Sequence, residues 1–383
     1  MKFRAVAAIL ALVLLLSGCT AWWDGEYHWK EEYSLPRSPE SGQQVSASNY
    51  EQLKAALQKL VEAGKTQATV SVADYPAAAL EADVESAIDA LLQTHPITAY
   101  AVETITWEAG TSAGEPVLGI QIVYLHDRTE IRNIKTVADD AAATEAVQKA
   151  LADCQPGIVL QILEYNQADF TQMVEDFALL YPETVMELPK VTANVYPDAG
   201  QSRVVELKFT YQTSRDALKT MQSQVAPVFS SAVLYVSGDG LPAEKYSQLY
   251  SFLVERFEYS LETSITPAYS LLRHGVGDSR AFATVYASMC RMAGLECLTV
   301  SGTRDGESHY WNIILSDGVY YHLDLLRCAE ESGFRLLADH DMAGYVWDYS
   351  AYPECGEALS EKQKNHDKGR AKLAEKSNII DTQ

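Results

Sequence analysis

Asp317-Gly318 stands between two β-rich runs, Tyr310 to Leu315 and Val319 to Leu323. An Asp-Gly pair in that setting is a strong signal for a two-residue hairpin turn. If these two residues form the turn, Ser316 pairs with Val319, Trp311 lies opposite Asp324, and His309 lies opposite Leu326. His309 and Asp324 then become diagonal neighbours on one face, within reach of an imidazole–carboxylate hydrogen bond. A slip of one residue would send them to opposite faces, so the hairpin and the pair are a single expectation.

A second segment lies upstream. Gly275-Val276-Gly277-Asp278-Ser279-Arg280-Ala281-Phe282-Ala283 is a Gly-rich turn running into a helix, which the pattern carries to Met292. Phe282, Val285, Met289 and Met292 fall on its expected buried side. Ser279 stands in the first turn, where free N–H groups and the positive end of the macrodipole favour developing negative charge. Cys290 is three turns further along, roughly 16 Å away at 1.5 Å per residue, and reads as a buried structural thiol.

In order and spacing, Gly275 to Ala283, His309-Tyr310-Trp311-Asn312 and Tyr321-His322-Leu323-Asp324 resemble the transglutaminase-like superfamily, relatives of the papain-like cysteine proteases. Ala268-Tyr269, Phe334-x-x-Leu337-x-Asp339 and Tyr352-Pro353 add to the likeness. The resemblance implies a papain-like α+β domain over residues 226–358, with Ser279, His309 and Asp324 in the nucleophile, base and orienting-acid positions. The nucleophile departs from the pattern, because that family has Cys where this chain has Ser279. A thiol ionises readily beside imidazolium, whereas a hydroxyl stays protonated and needs base assistance in the transition state. Misplacement by about 1 Å can cost on the order of a hundredfold. Two readings stay open: a degenerate domain that binds peptide or cell-wall material, and a Ser-His-Asp hydrolase or acyltransferase acting on amide or ester bonds. Tyr269, Tyr310 and Trp311 are candidates for lining a surviving cleft. His322 and Asp324 share a strand face, but no third ligand is evident, so neither a metal site nor a cofactor is expected.

Upstream, an order of elements recurs. Ser48-x-x-Glu51 reads as a capping box before Leu53, Leu57, Leu60 and Val61, with Gly64 as the stop. A strand from Thr69 to Val72, a helix burying Val84, Ile88, Leu91 and Leu92, a closing Pro96, and strands Ala99 to Trp107 and Val117 to Tyr124 follow. Helix Ala146 to Ala152, strand Ile158 to Leu163, a helix with Phe170, Val174 and Phe177, Pro182, and strands Glu187 to Val195 and Arg203 to Tyr211 repeat that order. Two small α+β modules, 46–140 and 141–225, are therefore expected before the third unit, which opens with a strand at Ala232 to Val236 and a helix carrying Tyr246, Leu249, Leu253 and Phe257. Neither module shows pocket chemistry.

The N-terminal residues address the chain. Lys2 and Arg4 precede the apolar run Ala5 to Leu16, and Leu16-Ser17-Gly18-Cys19 looks like a bacterial lipobox. Residues 1–18 then read as a signal peptide, Cys19 as the lipidated residue holding the protein to a membrane outside the cytoplasm, and 19–45 as a tether. Residues 359–383 form a polar tail with no core pattern. The formal charge of −22 disfavours nucleic acid as a partner. Cys154, Cys290, Cys297, Cys328 and Cys355 are too few and too dispersed for a disulfide scaffold, with Cys328–Cys355 the one candidate bridge.

Overall fold

The computed structural model describes residues 45–236, 238–331 and 333–356. The expected leader, Cys19, nearly all of the tether and the polar tail lie outside the described residues. Among the described residues no helix is long and apolar enough to cross a membrane.

The first part is built from α1 (Tyr50–Glu62), β1 (Gln67–Ser71), α2 (Ala77–Thr94), α3 (Pro96–Ala101), β2 (Val102–Ser112) and β3 (Glu115–Tyr124). The cap of α1 falls one residue later than the capping-box reading placed it. Asn49 accepts the Gln52 N–H at 3.0 Å, and the Gln52 side chain turns back to the Ser48 N–H. Pro96 does not simply close α2. It opens α3, because a proline at the first helical position lacks only an N–H that would be unpaired anyway. Ala99 to Ala101 are therefore helical, and the strand expected there begins at Val102.

After α4 (Arg128–Arg132), the strand β4 (Lys135–Asp139) leads into α5 (Asp140–Ala152), β5 (Gly157–Glu164), α6 (Phe170–Leu180), β6 (Lys190–Tyr196) and β7 (Arg203–Thr210). β4 pairs in parallel with β5. The second sheet thus gathers residues from 135 onward, ahead of the expected start at 141. In both sheets the three strands that follow the first helix stand in the order first, third, second.

α7 (Arg215–Tyr235) is one 21-residue helix running across the expected boundary at 225/226. The strand anticipated at Ala232 to Val236 is its last turn and cap. Val225, Phe229 and Ala232, at helical spacing, are buried in the main core, and that burial keeps the helix intact through Pro227. α8 (Pro242–Val254) follows, burying Tyr246, Leu249 and Leu253 as expected. Then come the two-residue strand β8 (Glu258–Tyr259), the short turn α9 (Pro267–Tyr269), a π-helical turn over Ser270–His274 and β9 (Val276–Gly277).

α10 (Ser279–Met292) packs on a four-stranded sheet made of β10 (Cys297–Arg304), β11 (Glu307–Ser316), β12 (Val319–Leu323) and β13 (Tyr345–Trp347), with α11 (Leu325–Glu330) after β12. The sheet order is β12-β11-β10-β13. One face carries Ile314 and Leu323 into the main core with α7, α8 and α10. The other buries Val300, Trp311, Ile313, Tyr320, Tyr345 and Trp347. That second core depends on Gly302 of β10, where a Cβ would come within 2.3 Å of the Val346 carbonyl and 2.8 Å of the Trp311 ring.

Candidate active site

The hairpin has the expected register. Ser316 pairs with Val319 and Asn312 with Leu323. Asp317 and Gly318 take φ of 54° and 78°, the double positive φ of a two-residue turn. His309 Nε2 lies 2.7 Å from Asp324 Oδ2, with both side chains buried. Asp324 also caps α11, its Oδ1 accepting the N–H groups of Leu326 at 3.0 Å and Arg327 at 3.3 Å. Burial pushes this carboxyl upward. The His309 hydrogen bond and charge, with donors from Tyr345 and Arg327, outweigh it and hold the group below the ordinary aspartate value.

Tyr345 is a site residue that sequence reasoning missed. Its hydroxyl donates to Asp324 Oδ2 at 2.6 Å. β13 pairs with β10 so that Tyr345 stands opposite Arg304, and the Arg304 guanidinium lies 3.8 Å from the same carboxylate oxygen. Burial, with the Asp324 charge beside it, pushes the phenol far above its ordinary range, so it remains a donor. No local motif announces this contact, because the strand that delivers it joins the sheet some twenty residues after Asp324. Tyr345→Phe removes one hydrogen bond to a charged acceptor and is expected to lower stability by about 1.5–3 kcal/mol in urea unfolding. An unchanged midpoint would show the bond to be dispensable.

Local sequence also explains the setting of Ser279. Gly275 takes φ +82° at the end of the π-helical turn, a conformation that side chains with a Cβ rarely adopt. At Gly277 a Cβ would meet the Ala281 Cβ at 2.9 Å and Leu271 Cδ1 at 3.0 Å. Asp278 is the N-cap, accepting the Ala281 N–H at 2.8 Å. The residue type at a helix start was the available signal for this role, and it places a carboxylate beside Ser279. Ser279 is buried at 7 % exposure. Met292, expected on the buried side, is 40 % exposed because α10 has by then passed the sheet.

Alternation along β11 separates the elements of the site. Asn312 faces α10 and donates to the Ala283 carbonyl at 2.9 Å, and Tyr310 on the same side carries the Arg280 guanidinium 5.8 Å over its ring. His309 and Trp311 turn to the opposite face, among Tyr345 and Trp347. The Ser279 hydroxyl accordingly meets the strand at its backbone, accepting the Tyr310 N–H at 3.3 Å. No hydrogen bond joins it to the His309 ring. The structure therefore brings His309 and Asp324 together and places Ser279 against the peptide that follows His309.

Of the candidate cleft residues, Tyr310 is half-buried. Tyr269 is half-buried too, its hydroxyl donating to Gln224 Oε1 at 3.0 Å. Trp311 does not line an open cleft. It is fully buried, and its indole N–H donates to His322 Nδ1 at 3.0 Å. His322 Nε2 in turn lies 2.8 Å from Asp339 Oδ1. Cys355 completes a group whose potential ligand atoms all lie within 4.8 Å of one another. The indole is a donor only, so Nδ1 must accept and Nε2 must carry the proton. That proton points at Asp339, where a metal would need a lone pair. Burial also holds His322 below the ordinary imidazole value, against the pull of Asp339. The trio is a hydrogen-bond relay. Cys328 and Cys355 are free thiols buried in different cores, not a bridge.

Residues 231–325 match the family described as the transglutaminase-like superfamily, so the unit around Ser279, His309 and Asp324 is a transglutaminase-like domain within a mixed α+β chain. No curated protein matches the chain in sequence. Among solved structures it is similar to a transglutaminase at 10 % identity and TM-score 0.25, over 44 % of this chain and 50 % of that one. It is also similar to a candidate cysteine protease of Cytophaga hutchinsonii at 16 % identity and TM-score 0.25, over 41 % of this chain and 70 % of that one. A candidate protease of Parabacteroides distasonis is similar at 9 % identity and TM-score 0.22, over 67 % of this chain and 39 % of that one. The chain thus spans half the length of the transglutaminase structure.

Proposed function

We propose that this is an extracytoplasmic lipoprotein, held to a bacterial membrane through lipid on Cys19, whose transglutaminase-like domain binds peptide or cell-wall material without efficient catalysis. Two small repeated α+β modules would carry that domain away from the membrane, a reading supported by the strand order their sheets share. The observation behind the non-catalytic reading is the Ser279 hydroxyl, which accepts the Tyr310 N–H while the imidazole faces the other side of β11. A serine needs its base in contact during attack, and among the described residues no hydrogen bond joins this hydroxyl to the imidazole.

One observation favours the alternative, a hydrolase or acyltransferase acting on amide or ester bonds. His309 is still held by a buried carboxylate at 2.7 Å, as a working base would be. A serine-reactive fluorophosphonate probe separates the two. The binding reading expects no labelling at Ser279 in the folded protein. Labelling that disappears in both Ser279→Ala and His309→Ala would establish the hydrolase instead.

A further inference from the structure

Beside Ser279, a cavity of about 160 Å³ opens between α6, the segment after it, the residues leading into α9, and α10. Its walls are part apolar, from Leu179, Pro182, Val185, Ile265, Pro267 and Ala268, and part polar, from Gln212, Ser264 and Thr284. Two charged side chains also line it, Glu187 and Arg280. They are not equivalent. The Glu187 oxygens accept the backbone N–H groups of Gln212 and Thr213 at 2.5 and 3.0 Å, so both are already hydrogen-bonded within the fold. Arg280 faces the Tyr310 ring at 5.8 Å and meets no carboxylate within ion-pair distance among the described residues.

An unanswered guanidinium at the wall of a small, partly apolar chamber suits a ligand with two parts. The chamber takes several non-hydrogen atoms of aliphatic character, since one water needs only about 10–15 Å³. The guanidinium offers paired N–H donors to a carboxylate. Arg280 also ties the chamber to the site, because the ring it covers belongs to the residue whose N–H reaches Ser279.

We infer that this cavity is a subsite for the free C-terminal end of a peptide, with a small aliphatic side chain in the chamber and its carboxylate on Arg280. The inference rests on the peptide-binding reading and specifies which peptides. It is tested by isothermal titration of the full chain with N-acetyl-Ala-Ala, with its C-terminal amide, and with a blocked alanine hexapeptide. The acid is expected to bind about tenfold or more tightly than its amide, the size of one charge-assisted hydrogen bond. Arg280→Gln should erase that preference, and Ala178→Phe, which fills the chamber from α6, should weaken the acid by a similar factor. Equal binding of acid and amide, or a preference that survives Arg280→Gln, overturns the subsite. If the blocked hexapeptide binds in that case, the peptide reading stands without it. If none of the three binds, the subsite and the peptide reading both fall.

Discussion

Ser279→Cys is expected to yield a thiol that ionises well below the ordinary cysteine value of about 8.5, within the roughly 3.5–7.5 range of thiols at helix N-termini or beside cations. Position 279 is buried at the first turn of α10, and the Tyr310 N–H already donates to the atom placed there. The helix N-terminus and the donated N–H favour an anion over a neutral group, whereas burial disfavours it. Sulfur is also larger and more distant from its Cβ than the hydroxyl oxygen, which extends the reach of the side chain around β11. A second feature opposes the shift. The Asp278 carboxylate caps the same helix and adds a negative charge next door. The pH dependence of iodoacetamide alkylation reads the balance, because each unit of lowering raises the thiolate fraction at mildly acidic pH about tenfold. Adding Asp278→Asn should lower the value further, and adding His309→Ala should raise it. A thiol with ordinary free-cysteine reactivity would show that the surroundings of position 279 do not favour an anion there.

The parts of the fold legible in the sequence were those written in short-range chemistry. Asp317-Gly318 fixed the register of β11 and β12, and with it the His309–Asp324 contact, because a turn needing positive φ at two successive positions leaves little freedom. The start of α10 was equally readable from Gly275 to Ser279. What escaped was written in longer-range packing. The boundary expected at 225/226 falls inside α7, because Val225, Phe229 and Ala232 form a buried face that holds the helix through Pro227. β4 went unnoticed because Lys135–Asp139 has Val137 as its one large apolar residue, as suits an edge strand. Trp311 resembled an aromatic of an open cleft, but the alternation that puts it beside His309 also drives it into the second core. Tyr345 could not have been found from spacing, since its role depends on β13 pairing with β10.

Asp324→Ala is expected to destabilise the folded chain by about 3–5 kcal/mol at neutral pH, the cost of removing a buried carboxylate on which several donors converge. Asp324 is 1 % exposed and answers His309 at 2.7 Å, Tyr345 at 2.6 Å, and the first N–H groups of α11. Alanine would leave the tyrosine hydroxyl and two backbone donors without an acceptor in a region closed to water. Asp324→Asn, which keeps one carbonyl for these donors, should recover part of the loss and so separate hydrogen bonding from charge. The pH dependence has a definite sign. A carboxyl whose folded value lies below its ordinary 3.8 contributes fully above that value, and the contribution is lost as pH falls through the folded value. The difference in unfolding free energy between the wild-type chain and Asp324→Ala should therefore be flat from neutral pH down to about 4 and shrink below it. A gap that widened on acidification would mean that Asp324 is carried protonated in the folded chain, and the imidazole would then have no carboxylate to orient it.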